Sequence, residues 1–331
     1  MKLVVGECLV DLHPAREPAE NSAESADAGE AVETGVGVGG AAAYRRRPGG
    51  APANVAVGLA RLGAPAALWT RVGDDGFGDF LAERLDAAGV PGRFVERDPD
   101  APTGLAVVGR DADGDRRFSL YLDGTAATRL RPGGVDDALA AVSWLHVGGV
   151  DLAYEPARTA VFDLLERAPA DATVSFDPNA RPSLWTAFDY ADTLDRALGL
   201  VDVVVASPED VAPAGYGGDA DSETALAAAL TGAGPHTALV TRGGAGAVAV
   251  STPEAPWGAA TVEHAGFDAD VVDTTGAGDA FTAGAIAALS AGRDVDAAVR
   301  FANAVGAAAT TAEGAMTALP TRDEIDRLLD R

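Results

Sequence analysis

Asp273-Thr274-Thr275-Gly276-Ala277-Gly278-Asp279-Ala280-Phe281 sets two glycines and a carboxylate where an extended acidic segment gives way to a long helical pattern. A turn of Gly276, Ala277 and Gly278 has no bulky side chain, so its backbone N–H groups can approach an anion closely. The helix that follows adds its own unpaired N–H groups and the positive end of its dipole. Asp279 then falls in the first turn, beside any anion held there. A carboxylate so placed suits removal of a proton from an alcohol that attacks a phosphoryl group. A second reading needs no ligand: a helix capped after a glycine turn, with Asp279 balancing the dipole. In both, the neighbouring helix start predicts an ionised Asp279.

On either side of this stretch, short β-rich apolar runs alternate with Ala/Leu-rich helical ones, which predicts an α/β fold with a mostly parallel sheet. Residues 3–12 read as one opening strand, 53–62 as a helix, 67–72 as a strand and 77–88 as an amphipathic helix ending at Gly89. Residues 103–110 and 116–122 flank Asp113-Gly114, a hairpin signal. Buried strands recur at 144–147, 173–177, 201–206 and 237–241, with an antiparallel edge at 246–251 and 261–265. Helices at 277–291, 295–311 and 321–329 close the chain.

Residues 14–40 break this order. They carry Glu17, Glu20, Glu24, Asp27, Glu30 and Glu33, then Gly35-Val36-Gly37-Val38-Gly39-Gly40. Nothing periodic or aromatic is present, so a solvated, mobile insertion is expected. The Gly-x-Gly pattern follows an acidic tract rather than a strand and precedes no helix, which argues against a dinucleotide-binding fingerprint.

The 331 residues hold 25 basic and 50 acidic side chains, for a net charge of −25, and 47% are hydrophobic. That composition is globular, and its charge argues against nucleic acid as a partner. Lys2 is the only lysine, a bias that fits either a salt-adapted protein or a GC-rich genome. Cys8 is the single cysteine, so no internal disulfide forms and a reducing cytoplasm is expected. No apolar run reaches the roughly 20 residues that span a bilayer. His13, His146, His236 and His264 have no metal-ligand spacing, which argues against a structural zinc site.

A second stretch, Gly49-Gly50-Ala51-Pro52-Ala53-Asn54-Val55-Ala56, leads into Val57-Gly58-Leu59-Ala60-Arg61-Leu62-Gly63. With the Gly276–Asp279 motif it resembles both signature regions of the PfkB, or ribokinase-like, carbohydrate kinases, over residues 3–320. Several phrases are most similar to fructokinases: Gly6-Glu7-Cys8-Leu9-Val10-Asp11-Leu12, Tyr44-Arg45-Arg46-Arg47-Pro48-Gly49-Gly50, and Asp177-Pro178-Asn179-Ala180-Arg181-Pro182-Ser183-Leu184-Trp185. The last phrase is shared by 2-keto-3-deoxygluconate kinases. Ribokinases, nucleoside kinases and a sugar-binding regulator on the same scaffold are the other readings.

The resemblance implies a ribokinase-like fold: a mostly parallel central sheet flanked by helices, with a small β-sheet lid. Residues 1–12, 49–102 and 123–331 then form the α/β core. Residues 13–48 and 103–122 form the lid, and the insertion lengthens a lid loop or serves a homodimer contact. It also implies ATP and Mg²⁺. Asp279 is the implied base, and Gly276, Ala277 and Gly278 the anion hole.

Asp11, at the end of an apolar strand, starts a turn before Pro14 or, if buried, needs a partner: a neighbouring donor or, as the resemblance implies, the sugar. Gly49 and Gly50 permit close backbone approach, and Asn54 offers a donor and an acceptor, though it could equally cap a helix. Tyr121 flanks the sugar from the lid or packs the hairpin with Phe118. Arg181 meets a sugar oxygen, a carboxylate or a phosphate, or else a surface partner. Trp185 reads as core.

For the nucleotide, Thr241-Arg242-Gly243-Gly244-Ala245-Gly246 resembles the family's phosphate-bordering turn, and Asn303 matches a position near adenine or is a plain helix-surface residue. Relatives commonly carry Asn-x-x-Glu to organise Mg²⁺ hydration. Here Ser207-Pro208-Glu209-Asp210 replaces both members, leaving Glu209 or Asp210 to act through water. Asp273, with the segment near Gly314, is an implied monovalent-cation (K⁺) site.

Overall fold

The computed structural model describes residues 1–15, 43–110, 116–217 and 222–330. Thirteen strands in this part of the chain form two sheets. They are β1 Lys2–Val5, β2 Leu9–Pro14, β3 Tyr44–Gly49, β4 Ala66–Gly73, β5 Val95–Asp98, β6 Leu105–Arg110, β7 Arg116–Tyr121, β8 Trp144–Gly148, β9 Thr173–Asp177, β10 Val203–Ala206, β11 Thr237–Thr241, β12 Ala247–Ser251 and β13 Ala260–His264. The larger sheet runs β13-β12-β11-β10-β9-β8-β1-β4-β5 and the smaller β3-β2-β6-β7. From β11 through β5 the larger sheet is parallel, with β12 and β13 added antiparallel at one edge.

Parallel strands with both faces covered read as continuous apolar runs, and Leu3-Val4-Val5 and Val203-Val204-Val205 are of that kind. Alternation divides them between two layers: Leu3 and Val5 pack with Leu145 and Val147 on one face, Val4 with Leu68 and the Ala51–Arg61 helix on the other. That second layer also holds the Ala277–Leu289 and Val295–Ala309 helices. Their small residues let the axes approach closely. A Cβ on Gly58 would stand 2.7 Å from Ala283 Cβ, and one on Gly284 2.9 Å from Ala302 Cα. These contacts hold the middle of the Ala277–Leu289 helix against the Ala51–Arg61 and Val295–Ala309 helices.

The opening strand expected over residues 3–12 is two strands in different sheets. Gly6 has φ 145°, and a Cβ there would lie 2.4 Å from Pro52 Cγ. The chain leaves the larger sheet at that point and re-enters pairing at Leu9, in the smaller one. Apolar content on both sides of the break concealed it. β3, which no periodicity had marked in Tyr44-Arg45-Arg46-Arg47-Pro48-Gly49, pairs antiparallel with β2 from Leu9↔Gly49 to Pro14↔Tyr44. The expected hairpin is β6–β7, in register from Leu105↔Tyr121 to Arg110↔Arg116. Its Asp113-Gly114 turn lies outside the described residues, as does the expected insertion from residue 16 onward. Among the described residues no helix is long and apolar enough to cross a membrane.

Candidate active site

The carboxyl ends of β1, β9, β10 and β11 converge with the start of the Ala277–Leu289 helix. In open α/β sheets this is where ligands bind. A cavity of about 330 Å³ lies there, roofed by Ala106 and Leu120 of the smaller sheet and by Leu122 just after it. Five carboxylates line it, from Glu7, Asp11, Asp177, Asp210 and Asp279, with Arg181 the guanidinium among them. A second cavity of about 460 Å³ is bordered by Gly243, Gly246, Phe281 and Asn303. Thr241 and Gly278 line both, so the two spaces meet at the Gly276–Asp279 turn.

Gly276 adopts a left-handed φ of 79° at the helix N-cap, and a Cβ there would stand 2.7 Å from Ala315 Cβ. Gly278 faces open space, with no atom within 4 Å of where its Cβ would be. Ala277 N–H donates to Thr274 O at 3.2 Å, so it is engaged within the turn. The N–H groups of Gly278 and Asp279 belong to the first helical turn, which has no intrahelical carbonyl to offer them. Of the three residues expected to form an anion hole, Ala277 thus has its N–H engaged, whereas Gly278 N–H and the next one, Asp279 N–H, are left by the helix.

Asp279 is 8% exposed, and its Oδ2 accepts a 2.7 Å hydrogen bond from Asn54 Nδ2. Burial pushes its carboxyl up to about 6; the Asn54 bond and the Arg181 charge pull down, and Asp210 pushes up. Desolvation thus outweighs the helix start in the direction of the shift, and a carboxyl at about 6 is still mostly ionised at neutral pH, as expected. Asn54 does not cap its helix, because Gly50 is the N-cap and Asn54 N–H donates to Gly50 O. With Nδ2 engaged, Asn54 Oδ1 is buried without a partner at the cavity wall.

Asp11 is buried and reaches the cavity from β2. Burial raises it to about 7, with Asp279 adding and Arg47 opposing. Gly49 makes room for it: a Cβ on Gly49 would sit 2.2 Å from Asp11 Oδ2. Gly50 (φ 101°) lines the cavity, where a side chain would strike Glu7 O at 2.5 Å. Arg181 Nη1 donates to Ala180 O.

Ser207 caps the Pro208–Val211 helix in a reciprocal box with Asp210. Asp210 Oδ2 accepts from Ser207 N and Oγ, and Oδ1 from Ala180 N, so this carboxylate ties the Arg181 loop to β10. Asn303 is buried, not on a helix surface, and its Nδ2 is unpartnered at the second cavity.

Other expected residues lie elsewhere. Tyr121 is 54% exposed, since alternation turns Leu120 and Leu122 inward and Tyr121 out. Arg242 pairs with Glu263 at 2.7 Å and lines neither cavity, although Gly243 and Gly246 do. Glu209 is exposed and lines neither cavity, because the capping box selects Asp210. Asp273 is buried, its carboxylate accepting from Thr275 N and Gly314 N at 2.9 Å each. Trp185 packs against the core as expected. Glu7 and Asp177 were quoted as parts of motifs but given no role. Both are buried acids of the cavity, held well above the usual carboxylate range first by burial. Their only signal in the sequence is an acid beside an apolar strand.

The profile described as pfkB family carbohydrate kinase matches residues 3–322. The chain belongs to that family. This pfkB kinase is 41% identical to a fructokinase of Klebsiella pneumoniae over 293 residues, covering 85% of this chain and 92% of the relative. It is 37% identical to one of Vibrio alginolyticus over 292 residues, covering 85% and 91%. Among solved structures, fructokinase from Vibrio cholerae in a fructose-, ADP- and calcium-bound form superposes with a TM-score of 0.82 at 31% identity, covering 99% of this chain and 98% of that one. Fructokinase from Xylella fastidiosa with bound ATP gives 0.83 at 30% identity, covering 99% and 97%. The fold is ribokinase-like, and the protein is a carbohydrate kinase, a phosphotransferase.

Proposed function

We propose that the protein transfers the γ-phosphate of ATP to a hydroxyl of fructose, as a cytoplasmic enzyme. The observation that carries this reading is the Asn54–Asp279 pair at the junction of the two cavities. Asn54 holds Oδ2 of Asp279, so Oδ1 takes the proton of a sugar hydroxyl as its oxygen attacks. The N–H groups of Gly278 and Asp279, at the positive end of the helix, face charge that develops on the transferred group. Asp11, the Gly50 backbone and Asn54 Oδ1 orient the sugar. Gly243, Gly246 and the unpartnered Asn303 Nδ2 receive the nucleotide.

The substrate assignment has two supports. The curated relatives at 41% and 37% identity are fructokinases. The sugar cavity carries five carboxylates and one guanidinium, a field that disfavours a carboxylate-bearing sugar such as 2-keto-3-deoxygluconate. A divalent ion fits as a partner of the phosphates. Among the described residues no group of three or more His, Cys, Asp or Glu is arranged to hold a metal. Asp210 and Asp177 would meet Mg²⁺ through water, which suits an ion that keeps much of its hydration. Such an ion supplies charge neutralisation for the phosphates. Asp273, tied to Gly314, shapes the loop where K⁺ would bind. A homodimer through the smaller sheet and the absence of a nucleic-acid partner complete the reading.

The test is an ADP-release screen over fructose, ribose, 2-keto-3-deoxygluconate, glucose and nucleosides with Mg²⁺ and K⁺ varied. Turnover of fructose above the others is expected. Preference for 2-keto-3-deoxygluconate would overturn the substrate, and sugar binding without any turnover would favour a regulator.

A further inference from the structure

The smaller sheet roofs the sugar cavity, and its edge strand β3 is fastened to the core on both faces. Arg46 and Arg47 are neighbours on that strand, so alternation sends their side chains opposite ways. Arg46 lies over Phe80 of the Gly76–Ala87 helix, its guanidinium carbon 4.4 Å from the ring centroid. Arg47 turns toward the cavity side. It stands directly opposite Asp11 in the β2–β3 register, and directly opposed residues share a face. The Asp11 carboxylate lies over Gly49, two residues along that face, where a Cβ would be 2.2 Å from Oδ2. Arg47 reaches out of the sheet, and its Nη2 donates to Glu313 Oε2 at 2.7 Å.

Glu313 opens the turn that backs the phosphate end of the site. Next to it Gly314 has φ 90°, and a Cβ there would strike Arg47 Nη1 at 2.7 Å and Cδ at 3.3 Å. The Arg47 side chain therefore rests on the backbone of the turn as well as on its carboxylate. Gly314 N–H donates to the buried Asp273 carboxylate at 2.9 Å. Ala315 lines the sugar cavity, and its Cβ is 2.7 Å from where a Gly276 side chain would start. One arginine thus bridges the strand beside Asp11 to the turn that shapes Gly276.

We propose that Arg47 is a positioning residue: it straps the edge of the smaller sheet to the Glu313–Ala315 turn, so that the sugar end of the site at Asp11 and the phosphate end at Gly276 are ordered together. The side chains of Arg47 and Glu313 are 21% and 61% exposed, and an ion pair so placed adds little to overall stability. Its effect is on coupling. A ligand that orders one end spares the second ligand part of that cost, so sugar and nucleotide bind more tightly together than apart, by the same factor in either order.

The two ends are those of the fructokinase reading above, whereas the strap rests on geometry, so the first measurement uses no ligand. Hydrogen exchange on the full chain should be faster in Glu313→Ala than in wild type by roughly two- to fivefold, the scale of one partly exposed ion pair, in peptides covering both 44–49 and 312–319. Glu313→Gln, which keeps an acceptor for Arg47, should lie between the two. Arg46→Ala, which removes only the Phe80 contact, should speed exchange at 44–49 and leave 312–319 as in wild type. In calorimetry, wild type should bind ADP more tightly with saturating fructose than without, and in Arg47→Ala and Glu313→Ala that factor should fall toward one. Unchanged exchange at 312–319 in Glu313→Ala would overturn the strap. An undiminished coupling factor in Arg47→Ala, or independent binding of fructose and ADP in wild type, would overturn the positioning role. A wild type that binds no fructose would overturn the substrate reading instead, and the exchange result would then decide the strap by itself.

Discussion

Asn54→Ala isolates the contact on which the chemistry turns. Asn54 Nδ2 meets Asp279 Oδ2 at 2.7 Å, with both residues buried. A hydrogen bond to a charged group contributes about 1.5–3 kcal/mol, and here it favours only the ionised carboxylate. At 1.36 kcal/mol per unit, losing it should raise Asp279 from about 6 by ~1–2 units. The ionised fraction at pH 7 then falls by roughly 2- to 10-fold, and kcat falls with it. The assay is coupled ADP release with saturating fructose and ATP, from pH 5 to 9. The acid limb of kcat should move up by about one unit or more, with activity recovering toward pH 9. KM for fructose should rise as well, since Asn54 Oδ1 is lost from the cavity wall. An unmoved acid limb in a folded Asn54→Ala protein would refute the argument.

Other consequences can be checked on the same protein. Glu7, Asp11 and Asp279 stand at about 7, 7 and 6 when folded, above their ordinary 4.5, 3.8 and 3.8. A raised folded value means stability fully present below the unfolded value and lost as pH rises through the folded one. The melting temperature should therefore fall between roughly pH 5 and pH 8, and a rise over that range would contradict the burial of these acids. Gly276→Ala places a methyl 2.7 Å from Ala315 Cβ at a φ of 79°; calorimetry should show a loss of about 1–3 kcal/mol, with weaker ATP binding. Asn303→Ala removes the unpartnered Nδ2 from the second cavity. It should raise KM for ATP roughly tenfold while leaving KM for fructose nearly unchanged; the reverse pattern would reassign that cavity.

Much of this was legible in the chain itself, for physical reasons that differ by residue. The strands of the larger sheet announce themselves because burial on both faces demands unbroken apolar runs such as Val203-Val204-Val205. Gly276 and Gly50 mark themselves by needing left-handed or crowded backbone. The break at Gly6 was hidden because strands of both sheets are apolar and meet within a few residues. β3 was hidden because Tyr44-Arg45-Arg46-Arg47 offers no period-2 contrast, its pairing being supplied by β2. Tyr121 illustrates the opposite error. Strand parity assigns a side chain to a face only once the register is known, and Leu105↔Tyr121 sets it outward. Asp279 falls in the first helical turn as expected, but the upward direction of its shift was not legible. A dipole argument sees only the helix it starts, whereas burial by the surrounding helices and sheet decides the sign.

The central claim is that Asp279 accepts the proton of the sugar hydroxyl at the meeting point of two ligand cavities. Asp279→Asn keeps the shape and an Asn54 partner while removing the base. ADP release by this variant with saturating fructose, beside fructose binding measured calorimetrically, is the direct measurement. Turnover should fall by roughly 10²- to 10⁴-fold with fructose still bound. Turnover near the wild-type rate would contradict the account.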